Sequence, residues 1–187
     1  MIPEPKDVLV EWSGWSSHSV SPPVPGATRV GGLASGLVET LYEAVGGYDG
    51  LLNLATCWHA RVMADEVVSH AFSHGFHPEH TERLAAYWTE ALGGPARYSD
   101  LYGDESEVVR MHSGNGRHEE MDRRASECFD AALADAELAD DDRLSAALHD
   151  YFVWATTNSM SGYPRSADDV PDGLTVPQWS WHGPTRD

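Results

Sequence analysis

Between residues 37 and 160, apolar side chains recur three or four positions apart, and glycine or proline closes each run. This pattern constrains the fold most, because a stripe with a period near 3.6 residues is one face of a helix and does not alternate across a strand. Leu37, Leu41, Tyr42 and Val45 set a first helix over 37–45, stopped by Gly46-Gly47. Leu51, Leu54, Ala55, Trp58 and Val62 set a second over 49–64, and 65–72 reads as a short, tight continuation. Gly75 and Pro78 then make a corner of Ser73-His74-Gly75-Phe76-His77-Pro78. Pro78 suits the first position of a helix running to Leu92, with Glu79 and Glu82 in its opening turn and Leu84, Tyr87, Trp88 and Ala91 along one side. Gly93-Gly94-Pro95 ends it. Residues 98–102 read as loop, 105–112 as a short helix, 118–136 as a long one carrying Ala125 and Phe129, and 141–160 as the last. The chain shows no strand pattern and no repeat at about 20–50 residues. The expected class is all-α, with irregular tails over 1–36 and 161–187.

Composition narrows the partners. A net charge of −18 and an isoelectric point near 4.7 exclude a nucleic-acid binder, whose phosphate contacts need basic patches, and disfavour anionic membrane surfaces. No apolar run approaches the roughly 20 residues that span a bilayer. Met1-Ile2-Pro3-Glu4-Pro5 lacks the basic and apolar regions of a secretory signal. Cys57 and Cys128 are too few for a disulfide framework and fit a reducing cytoplasm as two buried thiols. In the tails, Trp12 and Trp15 suit an arm pinned onto the domain or left mobile. Trp179 and Trp181 suit rings lying on the chain's own surface or roofing a pocket.

Ten histidines in 187 residues ask for a use. One stands apart. Glu107-Val108-Val109-Arg110-Met111-His112 is a helical turn followed at once by Ser113-Gly114-Asn115-Gly116, an arrangement that fixes one imidazole while the backbone leaves sharply. A histidine closing a helix is also favoured by the helix dipole alone.

The motifs Tyr42-Glu43-Ala44-Val45-Gly46-Gly47, Leu92-Gly93-Gly94-Pro95-Ala96-Arg97-Tyr98 and Met111-His112, in that order, resemble the truncated haemoglobins, specifically group II. The resemblance covers about residues 38–160 and implies a two-over-two helical sandwich around haem b. It makes His112 the proximal iron ligand, a role that suits neutral imidazole. Trp58-His59 stands where the family carries Phe-Tyr, so His59 replaces the distal tyrosine. Phe72 matches the aromatic that wedges against the haem. His80 and Leu84 fall at the two pocket-facing positions of the distal helix, with Trp88 a turn further on. Ala125 stands in place of the family's tryptophan, which implies a lost donor and added volume. Arg83 and Arg110 match basic positions that clamp haem propionates, and Met111 adjoins the ligand.

The resemblance thus implies a diatomic gas ligand or peroxide. The substituted distal side, with His59 and His80 as proton-handling groups, leans toward an oxidoreductase rather than an oxygen carrier, acting on peroxide, nitric oxide or a small organic substrate. No dinucleotide fingerprint or P-loop is present, so a separate reductase or the substrate supplies electrons. Whether the molecule forms a homodimer is not legible. Two rival readings stand beside this one. His70, His74, His77 and His80 are dense enough for a non-haem metal, although Gly75 and Pro78 interrupt the helix that would align them. An acidic helical domain with tryptophan-bearing tails also suits a haem-free interaction module.

Overall fold

The structure, a computed structural model, describes residues 39–73 and 75–185. The expected N-terminal extension, Trp12, Trp15 and His74 lie outside the described residues. Among the described residues, seven α-helices follow one another: α1 Leu41–Ala44, α2 Gly47–Ala64, α3 His80–Ala91, α4 Arg97–Leu101, α5 Glu105–His112, α6 Glu119–Asp135 and α7 Asp142–Val153. A 3-10 turn, Val68–Phe72, links α2 to the corner, and a π-turn, Trp154–Ser159, continues α7. The helices pack in pairs, with α2 on both α3 and α6, and α6 on α7. No helix among the described residues is long and apolar enough to cross a membrane.

The two glycine motifs meet in space. Thr40 begins α1 with a capping box, its hydroxyl accepting from the Glu43 amide at 3.1 Å while the Glu43 carboxylate accepts from the Thr40 amide at 2.8 Å. The Tyr42 amide then donates to the Leu92 carbonyl at 3.0 Å, tying α1 to the end of α3. A Cβ on Gly94 would lie 2.7 Å from the Tyr42 ring and 2.7 Å from the Thr89 carbonyl oxygen, so only glycine lets the tyrosine lie there. Gly46 takes φ 92° and Gly47 φ 72°, so the pair turns the chain into α2 as well as ending α1.

One side chain from each long helix builds the core. Phe129 of α6 stacks on Phe152 of α7 with centroids 4.2 Å apart, Trp88 of α3 meets Phe129 edge-on at 5.6 Å, and Trp58 of α2 meets Phe152 at 5.6 Å. Such pairs add about 0.5–1.5 kcal/mol each beyond area burial. Asp65 fixes the turn after α2: one carboxylate oxygen accepts from the Val67 and Val68 amides and the other from Arg124, at 2.7–2.9 Å. These bonds hold its carboxyl down at about 2.

One difference from the sequence expectation stands out. Residues 98–102, expected as loop, belong largely to α4. A five-residue helix is too short to show a period. The C-terminal segment is ordered against the domain: Val170, Val176 and Trp179 are buried, and Trp179–Ser180 pairs antiparallel with Gly183–Pro184. The tryptophans take the self-packing option, Trp179 beside Tyr151 and Trp154, and Trp181 donating from Nε1 to the Glu39 carbonyl at 2.6 Å.

Candidate functional site

Helix α5 presents His112 in a defined tautomer. Asp104 caps the helix by accepting from the Glu107 amide at 3.2 Å. Four residues before the histidine, the Val108 carbonyl lies 2.8 Å from His112 Nδ1. A carbonyl only accepts, so Nδ1 carries the proton and Nε2 carries a lone pair. Burial lowers the pKa of this imidazole, and the bond to Val108 partly offsets that. The ring is therefore neutral and oriented, with one nitrogen available as a ligand.

The C-terminal segment braces α5 along its length. The Glu105 amide donates to the Leu174 carbonyl at 3.3 Å, the Leu174 amide donates to Ser106 Oγ at 3.0 Å, and the Gly114 amide donates to the Pro164 carbonyl at 3.1 Å. Arg110 pairs with Asp172 and donates to the Val170 carbonyl at 3.5 Å. Glu105 is the hub. Its buried carboxylate accepts from Tyr87 at 2.9 Å and from Tyr163 at 3.4 Å. Desolvation outweighs those bonds and lifts its pKa to about 7. Tyr163 in turn lies with its ring 6.5 Å from that of His112.

A second group of rings gathers where α2, the 3-10 turn and the start of α3 meet. His59 lies 5.4 Å from Phe72, 4.6 Å from Phe76 and 5.1 Å from His80, centroid to centroid. Phe72 and His80 are 5.3 Å apart. Two buried nitrogens, His59 Nδ1 and His80 Nε2, have no hydrogen-bond partner among the described residues. Burial lowers the pKa of His59. It lowers that of His80 to about 4, helped by the neighbouring charges of His59, His112 and His77 and opposed by Glu82. The imidazoles of His59, His80 and His112 are thus neutral at pH 7.

The remaining expected residues divide. Leu84 packs partly buried against the core and Trp88 is deep within it. Arg83 sits with its guanidinium 4.7 Å from the Tyr102 ring centroid and 3.6 Å from Glu79. Arg110, expected as a propionate clamp, is engaged by Asp172, so clamping would require that pair to open. Met111 is 53% exposed, so its side chain lies at the surface. Ala125 is buried, and Trp58 Nε1 donates to its carbonyl at 3.4 Å. Phe76, Glu105 and Tyr163 were not singled out by sequence. Phe76 stands in a corner without a period, and Glu105 in a first helical turn reads as an ordinary dipole partner.

These residues fit a haem. His112 offers an oriented lone pair, and the unpaired nitrogens of His59 and His80 are polar atoms in an aromatic nest that nothing among the described residues satisfies. Among the described residues, no three His, Cys, Asp or Glu side chains come together to hold a bare metal ion. The rival set of His70, His77 and His80 therefore does not converge, and His74 lies outside the described residues.

Comparison with known proteins gives the same direction. The model of the bacterial-like globins matches residues 40–156. A group 1 truncated haemoglobin of Synechocystis is 30% identical over 83 residues, covering 43% of this chain and 67% of that protein. Among solved structures, a thermostable haemoglobin of Thermobifida fusca superposes with a TM-score of 0.55 and 29% identity, covering 67% of this chain and 99% of that one. The group II truncated haemoglobin of Bacillus anthracis superposes with a TM-score of 0.58 at 18% identity, covering 68% and 95%, and shows a shared fold.

Proposed function

The chain belongs to the bacterial-like globin family, and on that premise we propose that it holds haem b through His112 Nε2 and carries out redox chemistry on a small ligand beside His59 and His80. Haem iron is the cofactor of this family and diatomic gas binding its general activity. When bound, the group supplies ligand affinity and electron transfer that no side chain of the protein possesses. The supporting observation is the pair of unpartnered nitrogens, His59 Nδ1 and His80 Nε2. A buried polar atom left unsatisfied costs about 1–3 kcal/mol, so two in one aromatic nest mark a place completed by a polar ligand.

The protein's own residues divide the work. His112, fixed by Val108, orients the group from one side. Phe72 and Phe76 flank the His59 ring edge-on. A neutral imidazole carries one N–H and one lone pair, so His59 can donate at one nitrogen and accept a proton at the other. His80, with a pKa near 4, holds a hydrogen bond without charging at neutral pH. His59 is then the better proton carrier and His80 the better fixed dipole. Peroxide or nitric oxide fits such a site, with a small organic substrate as reductant or a separate reductase in a cytoplasmic setting.

Absorption spectra of the full chain in ferric, ferrous and carbonyl forms test the haem assignment, which a missing Soret band would end. Loss of about a hundredfold in the rate of reaction with peroxide on His59→Leu is expected for a proton-transferring imidazole. Reversible oxygen binding by the ferrous protein, with slow reaction toward both peroxide and nitric oxide, would instead establish a carrier.

A further inference from the structure

The C-terminal segment and the end of α7 border an open cleft of about 500 Å³, within the size range of small-molecule sites. Three tryptophans, Trp154, Trp179 and Trp181, line it together with the Asp150 carboxylate, Asn158 and His182. We propose that this cleft binds a small organic cation of the quaternary or tertiary ammonium class. The chemistry is that of an aromatic cage: the negative faces of indole rings attract a desolvated cation, and tryptophan does so most strongly. An ammonium bearing alkyl groups gains from apolar contact with the rings and from charge at once, whereas a bare ammonium surrenders too much hydration.

The arrangement of the backbone supports a built site. Helix α7 does not simply stop at Val153 but widens into the π-turn Trp154–Ser159, a conformation found disproportionately at functional sites. That turn carries both Trp154 and Asn158 to the cleft, and Asp150 stands one turn earlier on the same helix. The Trp154 and Trp179 rings are 5.2 Å apart and tilted by 41° rather than closed face to face. Each ring from the C-terminal segment is held. Trp179 is 8% exposed, and the antiparallel pairing of Trp179–Ser180 with Gly183–Pro184 fixes its backbone. Trp181 is tied by its bond to Glu39 and already carries a cation, the Arg143 guanidinium 4.2 Å from its centroid. Rings fixed before binding need little ordering when a ligand arrives.

Charge selects the ligand's sign. The lining contains one carboxylate and no lysine or arginine, and the whole chain carries −18. An anion would meet Asp150 and the field of the protein, while a neutral apolar molecule would leave Asp150 without a counter-charge.

Titration of the haem-loaded full chain with choline, followed by tryptophan fluorescence, tests this directly, with 3,3-dimethylbutan-1-ol as the uncharged isostere. Saturable binding is expected, about tenfold tighter for choline than for the isostere. Asp150→Asn, at an exposed position, is expected to weaken choline about threefold and leave the isostere unchanged. Trp154→Leu is expected to abolish binding of both while the Soret band and helical circular dichroism persist. If that variant fails to fold, Asp150→Asn decides alone. Equal affinity for the two probes, no saturation by either, or no change in selectivity with Asp150→Asn overturns the proposal.

Discussion

Along α5 the polar groups are paired: Glu105 with two tyrosines, Ser106 and Arg110 with the C-terminal segment, His112 with its own helix. Around the corner between α2 and α3, by contrast, two imidazoles keep buried nitrogens without partners. Among the described residues, one region is closed by the protein's own groups and the other leaves buried imidazole nitrogens open, as Arg97 Nε is elsewhere. Such atoms ask for an explanation. On the proposed reading, the α5 side holds the group and the His59–His80 side meets its ligand.

The largest expected effect breaks the α5 side at its end. His112→Ala removes the oriented lone pair and should abolish normal haem retention, read as loss of the Soret band on gel filtration, while Met111→Ala, at an exposed neighbour, should retain it. Full retention with an unchanged ferrous spectrum in His112→Ala would remove this histidine from the iron.

Next in size is a crossed pH dependence in the haem-free protein. Folding raises the Glu105 carboxyl from 4.5 to about 7, so the folded state binds the proton more tightly. Its contribution is complete below pH 4.5 and is lost as pH rises to 7, by about 3 kcal/mol. His80 runs the other way. Its pKa falls from 6.5 to about 4, so its contribution is complete above pH 6.5 and is lost as pH drops to 4. Denaturant titrations from pH 4 to 8 should therefore show Glu105→Gln losing more stability than wild type on acidification, and His80→Leu losing less. Parallel curves for the three proteins would show that neither group titrates with folding. At pH 7, His80→Leu should cost little, since it removes an unpaired buried nitrogen rather than a made bond.

The helical frame was legible because each glycine motif announces a physical need. Gly94 must lack a side chain for Tyr42 to lie on it, and the motif carrying Tyr42 was read in the same sequence. His112 stood out because it closes a short helix just before a glycine-rich loop, in a motif that resembles the family's. The bracing of α5 was not legible. Ser106 meets Leu174 and Arg110 meets Asp172 across 60 residues or more, in a segment with no period and several prolines. The burial of Glu105 likewise depends on Tyr87 and Tyr163, at separations of 18 and 58 residues.

The smallest expected effect asks which region Arg110 serves. Its pair with Asp172 joins a guanidinium about one-third exposed to a carboxylate almost fully in water. Such a pair contributes at most about 1 kcal/mol, so Asp172→Asn should barely move the denaturation midpoint. Haem dissociation is more revealing than stability here. If Arg110 only ties the C-terminal segment to α5, Asp172→Asn and Arg110→Ala should change the rate of haem transfer to an acceptor globin by the same small factor. If the guanidinium turns to a propionate when haem is present, the two substitutions should diverge. Asp172→Asn frees the clamp and slows transfer, whereas Arg110→Ala removes it and speeds transfer. The bond to the Val170 carbonyl persists in Asp172→Asn and keeps the side chain near the segment, so the structure favours the first result.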